Sequence, residues 1–180
     1  ENLIKEQREA QGKTKDEAIM ILNHKSAFET ILKKKNDFQI VSIAVINQLH
    51  NILVKDLSIS TGIRKQAVGI IGTIYRPPDN EFQIREAFEK IIKVINKTED
   101  PFEKALIAHL MIPYLQPYAD GNKRTSLTST ARFLHLNRYE LKADQEELIN
   151  FPLKVENKHL DIEEIAKWLK EHTKKVKKLK

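Results

Sequence analysis

The 180-residue sequence has no cysteine, which excludes disulfides and thiolate chemistry and fits a reducing compartment. It has no apolar run of about 18 residues or more, the length a membrane-crossing helix needs. The charged opening ENLIKEQREAQGK lacks the apolar stretch of a signal peptide. These absences make the cytoplasm the expected compartment and leave no reason to expect a membrane partner. The first residue is Glu1 rather than Met, so flanking segments are expected. There is no internal repeat, and the six histidines are scattered with no HExxH-like pair, so no dedicated transition-metal site is expected.

An apolar fraction of 41% supplies one well-buried domain of ordinary size. We expect an N-terminal helical extension over residues 1–36 ahead of the main unit at 37–180, together one compact domain. The net charge of +6 and pI near 9.3 favour phosphate-bearing partners. Much of that excess lies in the tail HTKKVKKLK and in Lys33, Lys34 and Lys35, which read as solvated helix ends, so a nucleic-acid partner is not expected.

Nearly every periodic segment reads as helix. Thr14-Lys15-Asp16-Glu17 has capping-box spacing ahead of one apolar stripe, Ala18, Ile21, Leu22, Phe28, Ile31 and Leu32. Ser42 caps a segment carrying Ile43, Ile46, Leu49, His50 and Leu53, where His50 is expected as a hydrogen-bonded core histidine. Asn80 with Gln83 opens the next helix, and Asp100-Pro101-Phe102-Glu103 opens another, which Pro113 should kink or end. Behind residue 122, Leu127, Ala131 and Leu134 continue an apolar stripe until Asn137. A last helix begins at Asp161, burying Ile162, Ile165, Ala166 and Leu169 with Trp168 as a partly buried anchor. The one β signal is AVGIIGTIYRPP, where Val68, Ile70 and Ile74 alternate around two glycines and suggest a hairpin closed by Pro77 and Pro78. The fold class is therefore all-α with one small hairpin.

Between two of these helices stands QPYADGNKR, residues 116–124. A helix N-terminus leaves backbone N–H groups unpaired and carries about half a positive charge, so it stabilises an anion. Gly121 permits close backbone approach, Asn122 caps or donates, and Lys123 and Arg124 offer donors to phosphate oxygens. Asp120 repels a bare phosphate, and its presence makes sense chiefly when a divalent cation bridges the two. These residue types suggest a magnesium-nucleotide site. An Asp-Gly turn with a basic first helical turn explains the same five residues.

QPYADGNKR resembles the motif of the Fic family, HPFx(D/E)GN(G/K)R, and GIRKQAVGIIGTIYRPPDN is similar to the family's flap hairpin and its approach. AHLMIPYLQPYADGNKRTS resembles the helix entering that motif, and the likeness runs over roughly residues 40–140. The GNKR variant and the stretch from Asn137 onward are also similar to Doc toxins. Most Fic enzymes transfer AMP from ATP to a protein hydroxyl, whereas Doc members transfer phosphate. The resemblance implies a mostly helical Fic fold in which Asp120 positions Mg2+ and Gly121, Asn122 and Lys123 line the phosphate loop. It implies further that Arg124 pairs with the outer phosphates of ATP and that Tyr118, where Phe is usual, anchors the loop to the core. The flap, with Ile70, Ile71, Gly72, Thr73, Ile74 and Tyr75, would hold a target protein segment by strand addition.

Gln116 stands where the family has its catalytic histidine, which takes the proton of the attacking hydroxyl. An amide has no usable pKa, and losing a general base costs about 10²- to 10⁴-fold in rate. Three readings follow: an impaired adenylyltransferase, a Doc-like phosphotransferase or toxin, and a non-catalytic nucleotide- or protein-binding module. His109 lies seven residues upstream, about 10 Å along a helix, too far to replace the base, and reads as a buried structural histidine. His24, His159 and His172 have no partner at useful spacing, and His135 falls on the far part of the next helix. No Ser or Thr is followed by Glu at the fourth position, so the family's inhibitory (S/T)xxxE(G/N) pattern is absent. Inhibition would then come from an antitoxin or inhibitor chain, or be unneeded because Gln116 has disarmed the site.

Overall fold

Four helix starts are set by side chains lying within three residues of the first turn. In the computed structural model, which describes residues 14–33, 40–70, 74–142 and 162–176, helix α1 (Lys15–Lys33) opens on a reciprocal box. There Glu17 Oε2 accepts from the Thr14 N–H at 2.7 Å and Thr14 Oγ1 accepts from the Glu17 N–H at 3.3 Å. Ser42 caps α2 (Ile43–Leu53), Asn80 caps α3 (Glu81–Lys97), and Asp100 with Pro101 at the first position caps α4 (Pro101–Leu115). Helix α5 (Asn122–Leu136) follows the loop, then strand β1 (Tyr139–Leu141), helix α6 (Ile162–Glu171) and strand β2 (Thr173–Lys175).

The core lies where α3 meets α4 and α5. Ile84, Phe88, Ile91 and Ile95 repeat every three to four residues on α3 and face Ala105, Ala108, Ile112 and Leu115 of α4. Tyr118 of the loop, Phe133 and Leu134 of α5, and Leu169 of α6 complete this cluster. Phe88 is fully buried, a contribution of about 1.5–3 kcal/mol from the hydrophobic effect. Trp168 packs against the cluster from its edge and stacks on His172, with ring centroids 4.2 Å apart.

Several expectations need correction. The buried face of α1 is Asn23, Ala27 and Ile31, while Ile21, Phe28 and Leu32 of the expected stripe are exposed. The rotation follows from Asn23, whose side-chain amide donates to the carbonyls of Leu53 (3.3 Å) and Lys55 (2.6 Å) and pins that side of the helix down. On α5 the expected Leu134 is buried beside Phe133, but so are Asn122, Thr125, Ser126, Thr128, Ser129, Thr130 and Arg132, while Leu127 and Ala131 are only half-buried. Burial is tolerated because hydroxyls bond backward along the helix: Ser126 to Lys123, Thr128 to Arg124, Ser129 to Thr125 and Thr130 to Ser126. Helix α4 ends at Leu115, directly before the loop as expected, with Pro113 inside its last turn.

The hairpin forms no strand ladder among the described residues, and residues 66–70 and 74–79 have irregular backbone. Ile71, Gly72 and Thr73 lie outside the described residues. A two-stranded antiparallel sheet appears elsewhere, with Tyr139 opposite Lys175, Glu140 opposite Lys174 and Leu141 opposite Thr173. Asp161, the expected cap of α6, and the side chains of Ile162, Ile165 and Ala166 also lie outside the described residues.

Candidate functional site

The loop sits on a platform made by the C-terminal end of α2. His50 is buried and stacks on Tyr118 with centroids 3.8 Å apart, and Phe88 meets the same tyrosine edge-on. His50 Nε2 lies 3.0 Å from the Asp120 carbonyl, which can only accept, so that nitrogen carries the proton. Burial lowers the pKa of His50, which keeps the ring neutral; its carbonyl partner opposes this more weakly. It is thus the hydrogen-bonded core histidine that its place on the apolar face suggested. The Tyr118 hydroxyl donates to Asn47 Oδ1 at 2.7 Å, and burial raises its pKa. A phenylalanine in its place has no such link.

Gly121 begins α5 with φ at +79°, in the left-handed region that side chains disfavour. A Cβ there would lie 3.1 Å from Val54 Cγ1 and 3.5 Å from the His50 ring. The glycine is therefore required twice, by its torsion and by close approach. Asn122 turns its side chain inward: its amide donates to the Tyr118 carbonyl and its Oδ1 accepts the Tyr118 N–H at 3.0 Å. Its backbone N–H belongs to the first turn, where the helix itself offers no acceptor.

Gln116 also faces inward. It has left-handed backbone at φ +51°, its Nε2 donates to the Pro113 carbonyl at 2.7 Å, and its Oε1 accepts from Asn122 at 2.7 Å. The first bond has a local cause. Pro117 has no N–H, so the Pro113 carbonyl lacks the donor that four residues on would supply in a continuing helix. Gln116 fills that gap and braces Asn122, which in turn holds Tyr118.

Asp120 exposes 64% of its side chain, and its Oδ2 lies 3.5 Å from Arg124, which is 18% exposed. Arg124 also donates to the Leu53 carbonyl at 3.2 Å, the carbonyl that Asn23 shares. Lys123 is exposed beside them. One exposed carboxylate next to a helix start with cationic side chains fits Mg2+, which is held by one or two carboxylates together with phosphates and waters. Among the described residues no cluster of three or more His, Cys, Asp or Glu could hold a metal by itself. His24 comes near this centre from α1, and burial, then the Arg124 charge, lower its pKa. His109 is half-buried on α4.

On the flap side, Ile74 is 98% exposed and Tyr75 stacks on Tyr114 of α4, centroids 4.2 Å apart. Burial and the hydrogen bond with Tyr114 push the Tyr75 pKa to about 12. Ile70 is half-buried. Beneath the flap lies Arg64, which is 4% exposed and reaches both the flap and the loop. Sequence reasoning missed Arg64, Asn23, Asn47 and Tyr114. Each makes a contact across 14 residues of chain or more, where periodicity carries no signal.

The fold is similar to solved structures throughout the described chain. Fic-1 (residues 134–508) from C. elegans matches with TM-score 0.72 and 19% identity over 95% of this chain and 53% of that one. A Fic family protein from Desulfovibrio desulfuricans G20 matches with TM-score 0.68 and 17% identity over 95% and 56%. The chain thus spans about half the length of these two. BepC from Bartonella tribocorum, solved with bound AMPPNP, matches with TM-score 0.59 and 12% identity over 87% and 89%. No curated protein matches. The model of the Fic/DOC family matches residues 40–134, more than half of the chain, and contains both Arg64 and the loop. The family-model match and the mostly helical fold together show that this chain belongs to the Fic/DOC family.

Proposed function

We propose that this chain binds a magnesium nucleotide at residues 116–124 and a target protein segment along the flap at 68–75, with transferase chemistry reduced or absent. The observation that carries the reading is the pair of bonds made by Gln116. A side chain that braces Pro113 and Asn122 is committed to the loop's own bonding, and an amide cannot take a proton from a hydroxyl. The phosphate side keeps its equipment: the start of α5, Gly121, Lys123 and Arg124, with Asp120 to hold Mg2+, which would screen the phosphate charge. Nucleotides bound in similar proteins, AMPPNP in BepC and ADP in a Fic domain from Bartonella quintana, support the nucleotide part of this reading.

Calorimetry with ATP and Mg2+ tests the binding half. Saturable binding that weakens about tenfold or more in Arg124→Ala supports it, since charged hydrogen bonds are worth about 1.5–3 kcal/mol. No heat of binding with any nucleotide refutes it. Labelled ATP tests the chemical half. The natural chain should label itself or added proteins only at background, and Gln116→His should raise the incorporation of AMP. Transfer of the gamma-phosphate instead would assign the Doc-like reaction.

A further inference from the structure

Arg64 is a buried cation with no carboxylate bonded to it among the described residues. Burial lowers its pKa, and a nearby Asp79 charge opposes that shift. All three guanidinium nitrogens donate to backbone carbonyls: Nε to Gln116 at 2.6 Å, one terminal nitrogen to Gln66 at 2.6 Å, and the other to Pro78 at 2.5 Å. Its own N–H donates to the Pro117 carbonyl at 3.0 Å. Gln66 and Pro78 stand at the two ends of the flap, while Gln116 and Pro117 form the head of the loop. A buried charge whose nearby carboxylate, Asp79, is not bonded to it is costly unless such bonds offset it, so the arrangement persists only with all its acceptors in place.

We infer that Arg64 is a positioning residue that joins both ends of the flap to the head of the loop and makes them move as one unit. Its use rests on the reading above: a protein segment on the flap would then stand at one fixed offset from a phosphate on the loop. The requirement is for a planar fork. Lysine supplies a charge and three donors from a single nitrogen on a flexible stem, and cannot reach carbonyls arranged around a guanidinium plane.

The absence of cysteine makes a clean probe available. In an Ile74→Cys background, a nitroxide at the exposed position 74 reports flap motion. Amide exchange at Tyr118, whose N–H is bonded to Asn122 inside the loop, reports the loop, and the Phe88 amide in α3 serves as reference. Without nucleotide, Arg64→Lys and Arg64→Met should each mobilise the label and speed Tyr118 exchange by about tenfold or more, with Phe88 unchanged. The inference is overturned if either the label or Tyr118 is unaffected, or if Phe88 accelerates by the same factor, because the arginine would then be a general stabiliser. If Arg64→Met does not fold, Arg64→Lys alone decides. No nucleotide enters this experiment, so a chain that binds no ATP yet shows the paired response refutes the functional reading and leaves the joint intact.

Discussion

Gln116 supplies the donor that Pro117 withdraws from the Pro113 carbonyl, and it supports Asn122 and, through it, Tyr118. Tyr118 offers the sharpest test of how that loop is anchored. Tyr118→Phe keeps the ring against His50 but removes the bond to Asn47, and should destabilise the fold by about 1 kcal/mol in urea titration. An unchanged midpoint would show that the hydroxyl contributes nothing. Gly121→Ala meets both a left-handed torsion and Val54 at 3.1 Å, so a larger loss, about 1–3 kcal/mol, is expected in the same measurement. A loss below half a kilocalorie would mean that the loop backbone relaxes without difficulty.

At the scale of elements, the helix starts were legible because each is decided within three residues, as at Thr14, Ser42, Asn80 and Asp100. The motif loop was legible for a similar reason, being nine consecutive residues between two helices. The orientation of α1 was not, because Asn23 answers carbonyls 30 and 32 residues away. Periodicity of apolar residues assumes that the buried side is the greasy side, but in α1 Asn23, and in α5 a run of hydroxyls, share that side through long-range or backward bonds. The pairing of Tyr139 with Lys175 was hidden in the same way, by distance along the chain. Asn23→Ala should therefore cost about 1–2 kcal/mol, since it removes a donor shared by two carbonyls at the end of α2. Proteolysis should register it as faster cutting within α1, and an unaltered rate would deny Asn23 the role of fastening that helix.

For the whole molecule, acid is the natural probe of how α1, α2 and the loop hold together. His24 on α1 and His50 on α2 both have pKa values lowered from 6.5, mainly by burial. A folded pKa below the unfolded one means that the unfolded chain takes up protons first as pH falls. Stability from these groups is complete above about 6.5 and declines below it, down to the folded values. The melting temperature should thus be flat between pH 7 and 8 and fall toward pH 5, with a smaller fall in His24→Gln. A melting temperature that holds or rises toward pH 5 contradicts this. No helix among the described residues is long and apolar enough to cross a membrane.

The Leu53 carbonyl has a consequence for how an anion is received. It accepts from both Arg124 and Asn23, so when Arg124 swings away the carbonyl still has a donor. The arginine is parked there, and leaving orphans nothing. Removing Asn23 converts the parking place into an obligation, because departure of Arg124 then strips a carbonyl of its last side-chain donor. Helix α1 thereby sets how readily Arg124 can leave that carbonyl, which matters for the proposed binding of a phosphate.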